Sequence, residues 1–372
     1  MKKILFLSPL PPPVYGSAMS SKMILESRVI RDGFDIRNIK LNYSEHLKDV
    51  GKMNVKKMLG FFRVIFSIKK QLLSFKPDLV YFNIAPTGSG FMRDAMFALI
   101  CKAFRKKMLY HLRGRGIRDE MKSPLKHFLY KLVFRNSKAI ILSERLYEDV
   151  EKLFRHDDVF VLPNAIPNTI SDSDIEVIVR GRKKKKVSQI LFLSNMDETK
   201  GPLILLRACK LLKDKGMEFR CVFAGAWQDD GFRHRFMSYI ESNKLNSYVK
   251  CIGFADSKAK KKLLSESDIM AFPTYYRLET FGLVILEAMK YGMPVVANGI
   301  ASIPETVVHG KTGFVMKDNT PEELAAYLEI LLRDRKKASL IGAEGRERFI
   351  SNYEFSVYET AFSALLKKLL VQ

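Results

Sequence analysis

The chain has few residues of the kinds that build disulfide frameworks or metal sites. Its 372 residues include four cysteines, none in a Cys-x-x-Cys pair, which is typical of buried thiols in a reducing compartment. The six histidines show no spacing typical of a zinc site. The one Asp-x-Asp motif, Asp172–Asp174, falls in a predicted linker. We therefore expect neither a disulfide nor a bound metal.

Long apolar runs are also missing. The sequence has no stretch of about 18 uncharged apolar residues, so we expect no membrane-spanning segment. The first residues, Met1–Ser8, resemble a signal peptide, but the apolar run is too short and Pro11–Pro13 follows where a cleavage region would lie. We interpret this segment as a first β-strand and expect a cytoplasmic protein.

Charge is abundant but unevenly distributed. The chain carries 63 Lys and Arg against 40 Asp and Glu, a net charge of +23. Residues 1–150 hold 29 basic and 12 acidic side chains, or +17, whereas residues 151–372 hold 34 and 28, or +6. A cationic first half favours an anionic partner, such as a membrane surface, a phosphorylated acceptor or nucleic acid.

Short apolar runs alternate with helical patterns throughout, which predicts βαβ units and parallel sheets. The first half contains five predicted strands: Ile4–Ser8, Leu79–Phe82, Met108–Leu112, Ala139–Leu142 and Val159–Leu162. The second half contains six: Gln189–Ser194, Glu218–Ala224, Val249–Ile252, Ile269–Pro273, Pro294–Ala297 and Gly313–Val315.

Two doubly wound domains follow from this alternation. The stretch Pro163–Lys186, with two prolines and a basic run, is interpreted as a solvated inter-domain segment. The predicted domains are therefore residues 1–168 and 187–354, with a last amphipathic helix, residues 355–372, packing back on the first domain.

One strand–loop–helix segment carries the strongest chemical signal. A strand ending at Phe272 leads into a helix that begins near Thr280–Gly282, where free N–H groups and the helix dipole can bind a diphosphate. Glu279 precedes this helix, and Glu287 lies about 7–8 Å along the axis from Gly282. A nucleotide sugar has the same order, so Glu279 can bind sugar hydroxyls and Glu287 the ribose diol.

The alternative interpretation is that Glu279 caps a helix and that Glu287 lies on a solvated helical face. The apolar residues on both sides of Glu287 disfavour this, because a carboxylate in such a run needs a reason.

The Glu-x7-Glu motif formed by Glu279 and Glu287 is followed by Pro294–Asn298 and Ile303–Val315. In combination, these motifs resemble the family-4 retaining glycosyltransferases, over nearly all of the second half. The resemblance implies an α/β GT-B fold, in which two doubly wound Rossmann-like domains face a cleft. It also implies that the donor diphosphate lies at the helix start formed by Thr280, Phe281, Gly282 and Leu283.

Further positions acquire roles through this resemblance. Lys200, beside Gly201, matches a lysine that binds the donor phosphates and is implied to act in catalysis. Asn195 stands where the family usually has an arginine, and Arg277 is a candidate to compensate for it. Gly253 and Phe254 follow the strand whose loop usually receives the nucleobase.

In the first half, Gly16 and Ser17 match a glycine loop that lies near the donor diphosphate and the acceptor. Many relatives place a catalytic-site histidine near the donor sugar, and either His111 or Arg113 can hold that place. A core histidine with solvated arginines is the alternative. The helix within Lys52–Lys76 is both cationic and apolar, which favours contact with an anionic membrane over packing alone.

These features predict a metal-independent, retaining glycosyltransferase of the hexosyltransferase class. We expect a UDP- or GDP-linked donor and a glycan or lipid-linked acceptor, in surface polysaccharide or glycoconjugate biosynthesis at the inner face of the membrane. One alternative is a basic nucleic-acid-binding protein, although the sequence contains no recognisable binding module and nucleic acid is not expected as a partner. Another is a different enzyme of the same architecture, such as a phosphorylase or a sugar-nucleotide epimerase.

Overall fold

The computed structural model describes residues 1–12, 15–41 and 55–371, with only the backbone for residues 55–58. The chain divides into two compact units. Unit 1 combines Met1–Ala165 with Phe355–Gln372, and unit 2 is Ile166–Glu354. The prediction of an α/β fold with two doubly wound Rossmann-like units is confirmed.

Unit 1 is a parallel sheet with helices on both faces. Its strands are β1 (Lys3–Ser8), β2 (Asp35–Lys40), β3 (Leu79–Phe82), β4 (Lys107–Leu112), β5 (Lys138–Ile141) and β6 (Val159–Val161). Its helices are α1 (Gly16–Glu26), α2 (Arg28–Gly33), α3 (Val55–Ser74), α4 (Gly88–Ala103), α5 (Ile117–Glu120) and α6 (Pro124–Phe134), together with α15 (Phe355–Val371). Two 3₁₀ segments, Glu144–Asp149 and His156–Asp158, precede β6.

The strand order in unit 1 is β2-β1-β3-β4-β5-β6, and every neighbouring pair is parallel. Strand β2 does not figure among the predicted strands. Its sequence, Asp-Ile-Arg-Asn-Ile-Lys, is mostly polar, and it is an edge strand whose side chains are largely exposed. Helices α1, α2 and α15 pack on the face formed by Phe6, Tyr81 and Leu109.

Unit 2 repeats this architecture. Its strands are β7 (Ser188–Leu193), β8 (Phe219–Ala224), β9 (Val249–Cys251), β10 (Ile269–Phe272), β11 (Val295–Asn298) and β12 (Gly313–Met316). Its helices are α7 (Asp172–Lys184), α8 (Pro202–Asp214), α9 (Asp230–Ser242), α10 (Ser257–Glu266), α11 (Leu283–Lys290), α12 (Ile303–Thr306), α13 (Pro321–Arg333) and α14 (Arg335–Tyr353). A 3₁₀ turn, Glu198–Lys200, follows β7.

The strand order in unit 2 is β12-β11-β10-β7-β8-β9, so the winding direction reverses between β7 and β10. Strands β7 to β9 extend the sheet one way, and β10 to β12 extend it the other way. The loops that leave the carboxyl ends of β7 and β10 therefore diverge to opposite faces of the sheet and open a crevice between them, where sheets of this kind bind their ligands.

The segment predicted as a solvated linker differs in the structure. Helix α7 occupies most of it and belongs to unit 2. Arg182, from the basic run, is 7% exposed and donates hydrogen bonds to the carbonyl oxygens of Leu264 and Tyr291 at 2.7 and 2.9 Å. A guanidinium that satisfies several backbone acceptors can be buried, and this pattern is invisible in a run of five basic residues.

Within the described residues, no helix is both long enough and apolar enough to cross a membrane.

Candidate active site in unit 2

The crevice of unit 2 brings together two predicted site residues that are far apart in the sequence. Lys200 ends the 3₁₀ turn after β7, and Glu279 lies in the loop after β10. Their side chains form an ion pair, with Lys200 Nζ 2.8 Å from a Glu279 carboxylate oxygen. Both side chains are mostly buried, with 19% and 13% of their surface exposed. An ion pair sheltered in this way is less screened by solvent than a surface pair.

Backbone contacts hold the two loops of the crevice together. The amide of Tyr275 donates to the carbonyl oxygen of Thr199 at 2.8 Å. The Asn298 side-chain amide, at the end of the neighbouring strand β11, donates to the carbonyl oxygen of Thr274 at 2.8 Å. Gly201 is essential to this close approach, because a Cβ there would lie 2.0 Å from the carbonyl oxygen of Pro273. The position of Glu279 is therefore set by several neighbours rather than by its own loop alone.

Helix α11 starts at Leu283, slightly later than the sequence pattern predicts. Gly282 precedes it with φ of 73°, in the left-handed region that favours glycine, and it has no side chain with which to cap the helix. Thr280 and Phe281 are buried, at 9% and 2% exposed, so their side chains belong to the interior. This helix start therefore offers an anion its backbone N–H groups and the positive end of the helix dipole.

Glu287 lies one turn further along α11 and is met by a lysine that the sequence interpretation missed. Lys260 of α10 places its Nζ 2.6 Å from a Glu287 carboxylate oxygen. Glu287 is 18% exposed, which agrees with the apolar run around it and disfavours a solvated helical face. Lys260 stands among Lys258, Lys261 and Lys262, and a run of this kind reads as a solvated helical face until the fold supplies its partner.

The surroundings of Lys200 also include an aromatic ring. Its Nζ lies 4.1 Å from the centre of the Tyr276 ring, which is cation–π geometry. Asn195, which holds the place of the family's usual arginine, is exposed after the end of β7. Arg277 is exposed in the same loop as Tyr276. Lys200 is thus oriented by a carboxylate and a ring.

The loop predicted to receive the nucleobase follows β9. Gly253 adopts φ of 70°, and a Cβ built there would meet nothing within 4 Å. Its carbonyl oxygen accepts a hydrogen bond from Gly225 at 2.8 Å, which ties this loop to the end of β8. Phe254 is 78% exposed, so its ring is available to a flat ligand.

The remaining predicted site residues belong to unit 1. Gly16 and Ser17 open helix α1 behind Tyr15, whose side chain makes no capping hydrogen bond. The preceding residues 13 and 14 lie outside the described residues. Ser17 also accepts a hydrogen bond on its carbonyl oxygen from the hydroxyl of Ser21, at 2.9 Å.

His111 lies in the core of unit 1. Its ring has no exposed surface, and Nδ1 lies 2.8 Å from the hydroxyl of Tyr81. Burial holds the pKa of His111 well below its usual value, with nearby Arg113 as a second cause. Arg113, past the end of β4, bonds to Asn164 and to the hydroxyl of Tyr358.

All four cysteines are free thiols, and three of them are buried. Across the part of the chain that the structure describes, no group of three or more His, Cys, Asp or Glu side chains is arranged to hold a metal ion.

Comparison with known proteins supports the interpretation of unit 2. Residues 174–348 match the family model described as glycosyl transferases group 1, and this stretch includes both glutamates and both of their lysine partners. Over nearly its whole length, unit 2 is similar to the glycosyl transferases group 1 family. The resemblance predicted from the Glu-x7-Glu context is confirmed at this level, with family 4 and the retaining outcome remaining predictions.

Curated relatives match over part of their length. The colanic acid biosynthesis glycosyltransferase WcaL of Salmonella typhimurium, itself a putative assignment, is 27% identical over 186 residues, 48% of this chain and 45% of the relative. The D-inositol 3-phosphate glycosyltransferase of Corynebacterium diphtheriae is 27% identical over 226 residues, 56% of this chain and 52% of the relative. The chain spans about half the length of the curated relatives it matches.

Solved structures match over the whole chain. Sucrose-phosphate synthase from Thermosynechococcus elongatus has a TM-score of 0.74 at 16% identity, covering 100% of each chain. HepE from Anabaena, solved in complex with UDP and glucose, has a TM-score of 0.72 at 19% identity, covering 99% of this chain and 100% of that one. At these identities the likeness establishes the fold, and the GT-B prediction is confirmed.

Proposed function

We propose that this chain is a retaining glycosyltransferase that moves a sugar from a UDP- or GDP-linked donor to a glycan or lipid-linked acceptor. The observation that carries the proposal is the Lys200–Glu279 ion pair, held in the crevice of unit 2 beside the glycine-led start of α11. The pair supplies one cation for a diphosphate and one carboxylate for sugar hydroxyls at the place where such sheets bind ligands.

The phosphate side of the proposed site consists of Lys200 and the start of α11. Glu279 neutralises the ammonium of Lys200, so a diphosphate that docks at this helix start competes for Nζ. Once Lys200 turns to phosphate, Glu279 is available to the hydroxyls of the sugar. Charge that develops on the departing diphosphate is then stabilised by the ammonium and the helix dipole, which we take to be the main catalytic contribution.

The nucleoside side of the proposed site consists of Glu287 and the loop at Gly253 and Phe254. A carboxylate can accept two hydrogen bonds from a ribose diol, and Lys260 at 2.6 Å orients the Glu287 carboxylate for it. We propose that the ring of Phe254 lies against the base. The proposal includes both uracil and guanine as the base of the donor. HepE, which shares the fold, was solved with UDP, so UDP is the first ligand to test.

The retaining outcome is carried over from the resembling family. Independence from metal is proposed because the one Asp-x-Asp motif, Asp172–Asp174, lies outside the strand–loop–helix segment of the proposed donor site. We assign the charge on the leaving group to Lys200 and to the start of α11 rather than to a cation. Transfer would join the acceptor oxygen to the anomeric carbon, break the bond to the diphosphate and pass the acceptor's hydroxyl proton to the departing diphosphate, with the anomeric configuration kept. Analysis of the product anomer by NMR tests the retaining outcome and also separates a transferase from an epimerase.

The acceptor is proposed from the relatives and from charge. Matched relatives are named for colanic acid and amylovoran biosynthesis, both of which concern polysaccharides. The surplus of +17 in residues 1–150 favours a membrane-associated, lipid-linked acceptor. We therefore propose a cytoplasmic enzyme that acts peripherally on the inner face of the membrane.

A thermal-shift panel of UDP-, GDP- and ADP-sugars tests the proposal. At about 100 times the dissociation constant, the matching nucleotide sugar should raise the melting temperature of unit 2 by about 5–10 °C. Lys200→Met should lose most of this shift, because the cation that meets the diphosphate is gone. The matched control Lys258→Met, at an exposed lysine of α10, should keep it. Absence of a shift with every nucleotide would contradict the proposed function.

A further inference from the structure

Helix α3 of unit 1 turns a row of large apolar side chains away from the sheet. Leu59, Phe62, Phe66 and Leu73 follow one another at spacings of three, four and seven residues, which places them on one side of the helix. They are strongly exposed, with Phe66 at 70%. The same helix packs on the sheet through its opposite side, so this row is not needed for the fold of unit 1.

Helices α4 and α6 continue the pattern. Met92 and Met96, four residues apart on α4, are both 48% exposed. On α6, Leu125 is 76% exposed and Phe128 is 66% exposed, and Leu132 follows at the next turn. Single exposed apolar residues are ordinary, but three neighbouring helices with such rows form a patch that calls for a partner.

The three helices lie side by side, with α4 in the middle. Phe61 of α3 and Phe97 of α4 have ring centres 5.3 Å apart, and Phe91 of α4 stacks on Tyr130 of α6 at 3.8 Å. Because these inner contacts join neighbouring helices, the outward rows fall on one continuous surface. We call the outward sides of α3, α4 and α6 the outer helical face.

The outer helical face carries charge of one sign. The sequences of the three helices contain a single acidic residue, Asp94, which is 1% exposed and paired with Arg93. In contrast, Lys69 and Lys70 of α3 and Lys131 of α6 are exposed. Basic side chains are therefore interspersed with exposed phenyl, leucine and methionine side chains, and no exposed carboxylate offsets them on these helices.

We infer that the outer helical face is the surface by which this protein docks on an anionic lipid bilayer. The inference rests on the peripheral membrane contact of the proposed function and gives it a location. Exposed Phe and Leu side chains enter the boundary between headgroups and acyl chains, while Lys and Arg meet anionic headgroups. Helix α3 alone is one amphipathic helix, whereas the packing of α4 and α6 beside it makes a broad, preformed surface.

Two other occupants fit the observations less well. A second copy of the same face would bring like charges together in a two-fold contact, which costs energy. Nucleic acid would match the charge, but exposed leucine and methionine rows add nothing to the recognition of phosphates and bases.

Vesicle co-sedimentation with the full chain tests the inference. The probes are phosphatidylcholine vesicles and phosphatidylcholine vesicles containing about one quarter phosphatidylglycerol. We expect binding to the anionic vesicles and at least about tenfold weaker binding to the neutral ones. Phe62→Ser combined with Phe66→Ser should weaken binding at least about tenfold, because two exposed rings that would enter the bilayer are lost. Lys69→Gln combined with Lys70→Gln should weaken it about thirtyfold.

Unit 2 offers matched controls. Leu340 of α14 is 60% exposed, close to the 59% of Phe62, so Leu340→Ser removes a comparable apolar side chain elsewhere. Lys336 and Lys337 of α14 are also adjacent and exposed, so Lys336→Gln with Lys337→Gln removes the same charge elsewhere. Neither control should change vesicle binding. All variants should keep the wild-type thermal shift with nucleotide sugar, which demonstrates that they are folded.

The inference is overturned if wild type does not bind anionic vesicles, or if the variants of α3 bind as the controls do. It is also overturned if light scattering reveals a dimer that the Phe62 and Phe66 double variant abolishes, since the face would then be a contact between copies. The inference would likewise be overturned if the chain bound RNA tightly, and if the Lys69 and Lys70 double variant lost this binding while the Phe62 and Phe66 double variant kept it. If wild type binds anionic vesicles and the α3 variants lose that binding, but no nucleotide sugar shifts the melting temperature, this surface is kept and the proposed function is rejected.

Discussion

At the scale of single residues, each glutamate of the Glu-x7-Glu motif is met by a lysine from a different element. Glu279 pairs with Lys200 at 2.8 Å and Glu287 with Lys260 at 2.6 Å. A carboxylate that is mostly buried needs such a partner, since an unpaired buried charge is costly. The two pairs also differ in setting, because Glu279 stands before the start of α11 and Glu287 stands within the helix.

This difference predicts distinct effects of two isosteric variants. Glu287→Gln should weaken binding of the matching nucleotide diphosphate by about tenfold to a hundredfold, because it removes a charged acceptor for the ribose. Glu279→Gln should not weaken nucleotide binding, since Lys200 is then no longer neutralised, but it should lower the rate of transfer about a hundredfold. Isothermal titration gives the affinities, and steady-state kinetics give the rates.

Glu266→Gln is the control for this pair, because Glu266 is a half-exposed carboxylate of α10 in a 3.9 Å contact with Lys262. It should change neither quantity. The assignment of roles would be refuted if Glu279→Gln lost nucleotide affinity while transfer per bound donor stayed intact.

His111, in contrast, is enclosed in the core of unit 1. Its place at the end of a strand, two residues before Arg113, made both candidates for one role. The alternation of strand side chains turns His111 toward the face that α15 covers, where Tyr81 is its partner and the ring has no exposed surface. Arg113, beyond the end of β4, remains half-buried and is anchored by Asn164 and Tyr358.

At the scale of elements, the start of α11 depends on one glycine. Gly282 has φ of 73°, and a Cβ added there would lie 3.0 Å from the ring of Phe272 and 3.2 Å from Ile285. Both the backbone conformation and the close packing therefore favour glycine. The turn at Gly282 sets where the first N–H groups of the helix begin, so the geometry of the proposed phosphate site depends on this residue.

We therefore expect Gly282→Ala to reduce both stability and nucleotide binding. The strain should cost about 1–2 kcal/mol in the free energy of unfolding, and nucleotide affinity should fall about tenfold as the helix start shifts. Gly216→Ala is a matched control, because Gly216 has φ of 70° but nothing within 4 Å of the added Cβ. Urea denaturation and titration calorimetry measure the two effects.

Gly216→Ala should show a similar cost in stability and unchanged affinity. Equal losses of affinity in the two variants would mean that backbone strain, rather than the helix start, decides nucleotide binding.

At the scale of the whole molecule, the chain leaves unit 1 after Ala165 and returns to it at Phe355. Helix α15 then supplies part of the core of unit 1. The centre of the Phe362 ring lies 5.4 Å from the centre of the Tyr81 ring and 6.4 Å from the centre of the Phe6 ring. The final residues are therefore needed for the unit that contains the first ones.

This return predicts that a change near the C-terminus destabilises the N-terminal sheet. Phe362→Ala should cost about 3–5 kcal/mol in the stability of unit 1, because Phe362 is fully buried. Hydrogen exchange should accelerate in β1 and β3. Trp227, the single tryptophan, lies in unit 2. Its fluorescence should still report an unfolding transition of unit 2 that depends on nucleotide.

Val357→Ala is the control on the same helix, since Val357 is 38% exposed. Its exchange should match that of wild type. Equal protection of β1 and β3 in wild type and Phe362→Ala would show that α15 contributes little to unit 1.

Charge also belongs to the largest scale. The surplus of +17 in residues 1–150 is only a number in the sequence, and it fits several anionic partners. The fold sorts the helices of unit 1 onto two faces and gathers basic and exposed apolar side chains on α3, α4 and α6. Because of this arrangement, the charge surplus becomes a surface that is both basic and apolar.

The sequence by itself determined the alternation of strands and helices, because buried parallel strands need short apolar runs and helices need their own period. It also determined the Glu-x7-Glu context, which is local. Strand β2 was not predicted, because an edge strand needs little apolar character. Helix α7 was predicted as a linker, because the basic run at its end is typical of solvated segments, although Arg182 is buried there.

Only the tertiary structure decided which residues meet. Lys200 and Glu279 are 79 positions apart, and Lys260 and Glu287 are 27 apart. The first contact depends on the strand order β10-β7, and the second depends on a side chain of α10 reaching one of α11. Strand order and helix packing are set by the sum of many weak, non-local contacts rather than by any local pattern. The burial of His111 and the single sign of the outer helical face were decided in the same way.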